Sequence, residues 1–455
     1  MKKRLSYVRL VAIFLGLFLV LTGCDPHVPE EPIAYTVTFL DADDQVIETV
    51  TVGLGEAAIA PEPPEKLDHT FTGWDTDFSQ VLDALTVKPL YEPLTATGWR
   101  FNLGADSACI TGYVGSETTV EIPDSLAGKT VTCIASDAFL SDATLQSVTV
   151  PNTVTTLGKD AFRDSAIVTV LFAADSQLTH IEDGAFRNAR ALSTVAFDPS
   201  SPLETLGADV FRLTTSLKTI DLPNAITTMG SHVFSHSGIE TITLPEALSK
   251  IPDYAFNRTE SLKTVTFHEH TTMERIGSNA FNSSAIETIH IPYTVTLLEE
   301  GAFYNTLQLE TISFASNSRL MMIDEAAFSR SAIRTIALPK SLLVIGVGAF
   351  SRSSIESITL PVHVLSIGEG AFAHATALHT VILNNNLTII DSFAFMNTPQ
   401  LASVRIPLSV TGIGHHAFTG HDALILYVEA NSKPETWSVD WHDGTATVIW
   451  GYRPI

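Results

Sequence analysis

Ile345-Gly346-Val347-Gly348-Ala349-Phe350-Ser351-Arg352-Ser353-Ser354-Ile355-Glu356-Ser357-Ile358-Thr359-Leu360-Pro361 is one turn of a pattern that fills most of the chain. Its central Phe recurs at 139, 162, 186, 211, 234, 256, 281, 303, 328, 350, 372, 395 and 418, always after Ala or Val, at spacings of 22 to 25 residues. Five residues before each Phe stands an aliphatic or Met, from Ile134 and Leu157 through Met229 to Ile390 and Ile413. Five or six residues after it a Leu or Ile opens a short apolar pattern, as in Leu217-Lys218-Thr219-Ile220-Asp221-Leu222. Apolar columns held in register over so long a stretch identify a repeat array, in which no single repeat closes a core by itself. Each repeat is one coil contributing a short strand, and strands of neighbouring coils pair at about 4.8 Å. The Phe rings then form one continuous interior, and removing a fully buried one costs about 3–5 kcal/mol.

Proline follows the strand in many coils (151, 223, 245, 292, 339, 361 and 407). With no N–H to donate, it is expected to end pairing and turn the chain outward. These residues together resemble the BspA-like leucine-rich repeats, with their Ile-Gly-x-x-Ala-Phe and Leu-x-x-Ile-x-Leu-Pro elements. The resemblance covers roughly residues 105–430. It implies a curved leucine-rich-repeat solenoid with a parallel β-sheet on the concave face.

An array must hide its terminal core. Residues 94–133, with Ile110-Thr111-Gly112-Tyr113-Val114-Gly115 and Val120-Glu121-Ile122-Pro123, read as an N-terminal cap; residues 134–424 are the repeats and 425–455 a C-terminal cap. In the last repeat Leu424-Ile425-Leu426-Tyr427-Val428 places Tyr427 at the Ile position, and Trp437, Trp441 and Trp450 follow as covering aromatics.

The start of the chain is a targeting segment. Lys2, Lys3 and Arg4 precede an apolar run at 10–21, the length of a signal-peptide core. The run ends in Leu21-Thr22-Gly23-Cys24, which resembles the bacterial lipobox and implies that residues 1–23 are removed and Cys24 is lipidated. Of the other two Cys, Cys109 and Cys133 form either a disulfide, permitted in an exported chain, or two separate buried thiols. Residues 24–33 are a Pro- and Glu-rich spacer. Residues 34–93 read as a small β domain: Tyr35-Thr36-Val37-Thr38-Phe39 and Glu48-Thr49-Val50-Thr51-Val52 alternate with period two around the turn Asp41-Ala42-Asp43-Asp44. With Phe71-Thr72-Gly73-Trp74-Asp75 and the closing Leu85-Thr86-Val87-Lys88-Pro89-Leu90-Tyr91, the segment is similar to the internalin B-repeat type of β-grasp module. Asp44 stands where that family often has Gly in the turn, a position Asp tolerates at positive φ.

In each Leu-x-x-Ile-x-Leu strand the fourth and sixth places point inward, so the third and fifth point out. The third place is Ser or Thr throughout, from Ser147 and Thr169 to Thr380 and Ser403, which fits β-propensity and cross-strand pairing. The fifth varies and is the better source of selectivity; Asp221, Thr243, Thr266, His290 and Arg405 are its candidate ligand-binding residues.

The 26 basic and 50 acidic residues give a net charge of −24; without Lys2, Lys3, Arg4 and Arg9 the balance is 22 − 50 = −28. That acidity disfavours nucleic acid as a partner. No Gly-x-Ser-x-Gly elbow, phosphate-cradling Gly-x-x-x-x-Gly-Lys or His-Glu-x-x-His motif occurs, so the chain reads as no enzyme, without cofactor or metal. His268-Glu269-His270 and His415-His416 read as polar loop positions, and Asp41, Asp43 and Asp44 lack the Gly and distal Glu of an EF-hand loop. The expectation is a lipid-anchored envelope protein, placed at the cell surface, that binds an extracellular protein or glycan through the concave face; the alternative is an envelope scaffold without external ligand.

Overall fold

The computed structural model describes residues 34–454, apart from 65, 67, 68, 94, 97 and 422. Cys24 and the rest of residues 1–33 lie outside the described residues. Contacts divide the chain into a small unit ending at Glu92 and a large one running from Pro93.

In the small unit Ala34–Leu40 pairs antiparallel with Val46–Gly53 and parallel with Leu85–Val87. Asp44 takes φ 65° in the hairpin turn. Val37, Phe39, Ala58, Val81 and Val87 are its buried core, with Trp74 and Phe78 edge-on to Phe39 at 5.1 and 5.3 Å.

The large unit is a parallel β-solenoid of stacked coils, and no helix occurs among the described residues. Every Phe of the column is buried. From Phe139 to Phe418 each ring stacks on the next, with centroids 4.7 to 5.6 Å apart and planes within 17° of parallel. Both ends finish in Trp. Trp99 meets Phe139 at 6.4 Å and 88°, and Trp441 meets Phe418 at 5.9 Å and 87°.

Three ladders of hydrogen bonds join the coils. One runs through two-residue strands such as Thr156–Leu157, ending in the aliphatic five places before the Phe. The residue after that aliphatic donates its N–H to the preceding coil, as Gly158 does to Ile134 O and Gly207 to Ile181 O. Pro252 occupies this place in its coil, and there the ladder divides between Thr228–Met229 and Lys250–Ile251. A second ladder passes through the turns that carry the Phe. N–H groups of the Phe and of the residues two before and two after it donate to the next coil, as Asp160, Phe162 and Asp164 do to Asp183, Ala185 and Arg187. This alternation puts the residues two before and two after the Phe at positive φ (Asp160 53°, Asp164 57°), a region that Gly, Asn and Asp enter most readily.

The third ladder joins the four-residue strands, and proline divides it. In three proline-free coils the residue after the sixth place closes the ladder onto the preceding coil, as Ala173 does to Val150 O, Ala315 to Ile291 O and Glu429 to Ile406 O. Strands of proline-free coils pair over three or four residues with the coil before them. Proline removes this closing bond. Ahead of Pro223 no strand forms at 217–222, so Asp221 lies outside any strand. Thr288–Ile291, ahead of Pro292, keeps one pair with the coil before it, Thr264↔Thr288. Ahead of Pro339 no strand forms, and Thr335 makes one isolated bridge, to Ser357 of the next coil. Strands ahead of Pro245, Pro361 and Pro407 likewise form no strand pairing with the coil before them. Each of those followed by a proline-free coil pairs fully with that next coil. Pro151 is milder, since three pairs survive between Ser147–Val150 and Thr119–Glu121. Proline thus ends pairing as expected ahead of Pro223, whereas at Pro245, Pro292, Pro361 and Pro407 it opens a seam on the preceding side only.

The terminal repeat also corrects the sequence reading. Ile425–Val428 pairs in register with Ser403–Ile406, which sets Leu426 opposite Val404 and Tyr427 opposite Arg405. Leu426 is buried at the Ile position, and Tyr427 points outward against Tyr452 at 4.9 Å. A loop shorter by one residue shifts the register, so hydrophobic spacing counted from Leu424 misplaces Tyr427 by one.

Candidate functional site

The outward places of the four-residue strands form the candidate site. Burial alternates along them, as in Thr241–Leu244 and Thr288–Ile291, with the third and fifth residues exposed and the fourth and sixth buried. The period of two sends successive side chains to opposite faces, and the Phe-lined interior selects the apolar ones. Thr243, Thr266 and His290 are exposed on this face. Asp221 is exposed too, from a segment without strand pairing.

The seam ahead of Pro292 brings two of these residues together. Thr264–Phe267 and Thr288–Ile291 part after their single pair, and a cavity of about 320 Å³ opens between them. Thr264, Thr266, Thr288 and His290 line it, over an apolar floor of Val265, Phe267 and Ile289. His290 Nδ1 lies 2.9 Å from Ser313 Oγ of the next coil, which fixes its ring. Hydroxyls, an imidazole and a half-buried aromatic ring at one opening suit a ligand with both polar and apolar surfaces.

Arg405 is held differently. Its Nε donates to Glu429 Oε1 at 2.8 Å, its Nη2 also meets that oxygen, and Nη2 reaches Asn385 Oδ1 at 3.3 Å. Burial alone would raise the Glu429 carboxyl, but hydrogen bonds from Arg405 and the Leu408 N–H outweigh it and hold the group below its usual range. The guanidinium is thus committed to an intramolecular pair between adjacent coils. Thr243 lies two coils from His290, outside the cavity.

Cys109 and Cys133 face one another in register on parallel strands Ser107–Tyr113 and Lys129–Ile134, and the structure joins them in a disulfide. The bond ties two neighbouring parallel strands of the N-terminal cap.

Sequence reasoning missed a column of hydroxyls three residues after the Phe. Ser165, Thr214, Thr259, Thr306, Ser353 and Thr398 are buried, and each donates back to the carbonyl of its Phe. The recurrence of Ser or Thr at that place was the available signal.

His415, Ser438 and Asp440 lie together at the end of the array. Asp440 Oδ1 and Ser438 Oγ approach the same ring nitrogen of His415, at 2.7 and 3.0 Å, and the Ser438 hydroxyl also donates to Asp440. A nucleophilic relay needs the two partners on opposite ring nitrogens. This cluster instead ties the last coil to the cap. Among the described residues, no three His, Cys, Asp or Glu side chains converge as metal ligands.

Comparison with known proteins agrees with this geometry. The BspA type leucine rich repeat region matches in six copies, over residues 116–238, 196–310 and 297–425. A leucine-rich repeat protein from Bacteroides ovatus shares 19% identity and a TM-score of 0.57, over 78% of this chain and 99% of that one. A leucine rich cell surface protein from Faecalibacterium prausnitzii is 23% identical over 79% of this chain and 95% of its own, with a TM-score of 0.44. No curated protein matches the sequence. The chain belongs to the BspA type leucine-rich repeat family.

Proposed function

We propose that the protein is anchored to the bacterial envelope by a lipid on Cys24 and binds an extracellular protein or glycan through its four-residue-strand face. The small β unit, read as a B-repeat-like module, and the spacer at 24–33 would serve as a stalk. One observation carries this reading: the opening between Thr264–Phe267 and Thr288–Ile291, where Thr266 and His290 stand over an apolar floor. A solenoid face of this kind offers a large area to a macromolecule. Repeat proteins with such a face serve recognition rather than catalysis.

The test is a binding screen of the mature chain against matrix proteins and glycans, repeated with a Thr266→Ala/His290→Ala variant. Loss of the captured partner in that variant supports the reading; unchanged binding moves the site off this face. Antibody labelling of intact cells separates the surface receptor from a scaffold enclosed within the envelope.

A further inference from the structure

We propose that Arg330, Arg352 and His374 form a second binding surface, on the Phe-bearing turns, for a linear polysaccharide with carboxylate or sulfate groups on successive sugars. It lies away from the strand face and does not depend on the reading given for that face.

The three residues share one place, two after Phe328, Phe350 and Phe372, on consecutive coils. Their backbones are alike, with φ of 59°, 58° and 60°. Their N–H groups donate in turn to Ser351 O, Ala373 O and Met396 O at 2.9, 2.9 and 2.8 Å. Each side chain therefore leaves the backbone at the same point of its coil. Burial and the nearby Arg352 charge both depress the His374 imidazole, which favours its neutral form, so it stands beside the two guanidiniums as a hydrogen-bonding ring.

Like charges so placed repel, and elsewhere in the array the same turns carry acids that relieve this. Arg163 pairs with Asp160 and Asp164 at 3.6 and 3.1 Å, and Arg212 pairs with Asp209 at 3.1 Å. Residues 326–332, 348–354 and 370–376 contain no Asp or Glu; Glu325 and Glu369 stand just outside them. Neither Arg330 nor Arg352 makes a side-chain hydrogen bond or ion pair among the described residues. In a chain of net charge −24, two neighbouring guanidiniums without an ion-pair partner among the described residues stand out. The chain neighbours Ser329, Ser331, Ser353, Ala373 and Ala375 are buried, whereas Arg330 and Arg352 are exposed.

The coil pitch is compatible with such a polymer. Stacked rings are 5.3 Å apart at Phe328–Phe350 and at Phe350–Phe372, close to the length of one pyranose unit in an extended chain. Guanidinium forks bind carboxylate and sulfate oxygens in pairs. Nucleic acid is also a polyanion, and the acidity of the whole chain weakens every such ligand, so DNA enters the test as a competitor.

The experiment measures binding of the mature chain to immobilised polygalacturonate and to heparin. Dextran, polyglutamate and single-stranded DNA serve as competitors. The variant is Arg330→Asn/Arg352→Asn, since Asn305 and Asn397 occupy the same place at positive φ and the fold tolerates them. The expected result is binding to one or both anionic glycans that falls at least ten-fold in the variant and weakens with added salt. Arg163→Asn should change nothing. No binding to either glycan, unchanged binding in the double variant, or equal competition by polyglutamate or DNA overturns the proposal. So does loss of glycan binding in Thr266→Ala/His290→Ala alone, which would assign the sugar to the strand face.

Discussion

Trp441 stands edge-on to Phe418, with ring centroids 5.9 Å apart and planes at 87°, and so closes a file of rings that all lie parallel. A stacked ring at the end of a file has one face without a neighbour. The perpendicular indole covers that face with its edge, the arrangement aromatic quadrupoles favour. Trp437 backs it at 5.1 Å, and both tryptophans are 2% exposed.

Trp441→Ala should therefore uncover Phe418 as well as leave a cavity, at a cost of about 3–5 kcal/mol. Because a solenoid is held by nearest-neighbour contacts, the loss should fray the last coils before the middle. Hydrogen exchange mapped along the chain would show faster opening of the strand Ile425–Val428 and little change near Phe281. Uniform acceleration over the whole array would contradict a capping role.

Pro292→Ala tests the seam. The new N–H would face the Phe267 carbonyl, as Ala315 N faces Ile291 O one coil later. One added hydrogen bond contributes about 0.5–1.5 kcal/mol. Losing proline's restraint on the unfolded chain costs about 0.4–1 kcal/mol. Overall stability should barely move. Exchange of the Phe267 and His290 amides should slow as the strands close, and any ligand of the cavity between them should bind more weakly. Unaltered exchange at both amides would mean that proline is not what parts the strands.

Much of this architecture was legible in the sequence, for a simple reason. A repeat writes the same burial demand many times, so Phe, Ile and Leu columns and the outward third and fifth places stand out from chance. The seams were not legible in full, because the missing N–H of Pro292 acts on Phe267, a residue of the previous coil. Coil length gave a partial hint: spacings of 24 or 25 residues occur where the sixth place is Phe172, Phe197, Phe267 or Phe314 and no proline follows it. Arg405 looked free because Glu429, its partner, lies 24 residues on and belongs to no repeated motif. The row at Arg330, Arg352 and His374 became visible only once the turn residues were known to project in register.

Glu299 carries a clamp over three coils. Its carboxylate is mostly buried; Lys250 Nζ reaches Oε2 at 3.0 Å and Arg275 Nη2 reaches Oε1 at 2.8 Å. Lys250 also holds Asp253 at 2.9 Å. Both cations remain half-exposed, so water screens part of the attraction. Glu299→Ala should cost about 1–2 kcal/mol, below the range for a fully buried pair. Denaturant unfolding of Glu299→Ala beside Lys250→Ala and the double variant gives the coupling; strictly additive losses would mean that the clamp contributes nothing.

Acid should loosen the C-terminal cap through Asp443. Burial raises its carboxyl, but hydrogen bonds from the Thr445 hydroxyl and from the N–H groups of Gly420 and Thr445 outweigh this and lower it from 3.8 to about 2. A carboxyl depressed on folding contributes stability above its unfolded value, and that contribution fades as pH falls through the folded one. The Asp443 contribution should thus be intact above pH 3.8 and lost progressively toward pH 2. Tryptophan fluorescence, with three of the chain's five tryptophans at 437, 441 and 450, reports on this region. Asp443→Asn should lower cap stability at neutral pH and flatten its fall between pH 4 and pH 2, on the values above. A variant whose acid transition matched that of the parent chain would show that Asp443 does not hold the cap.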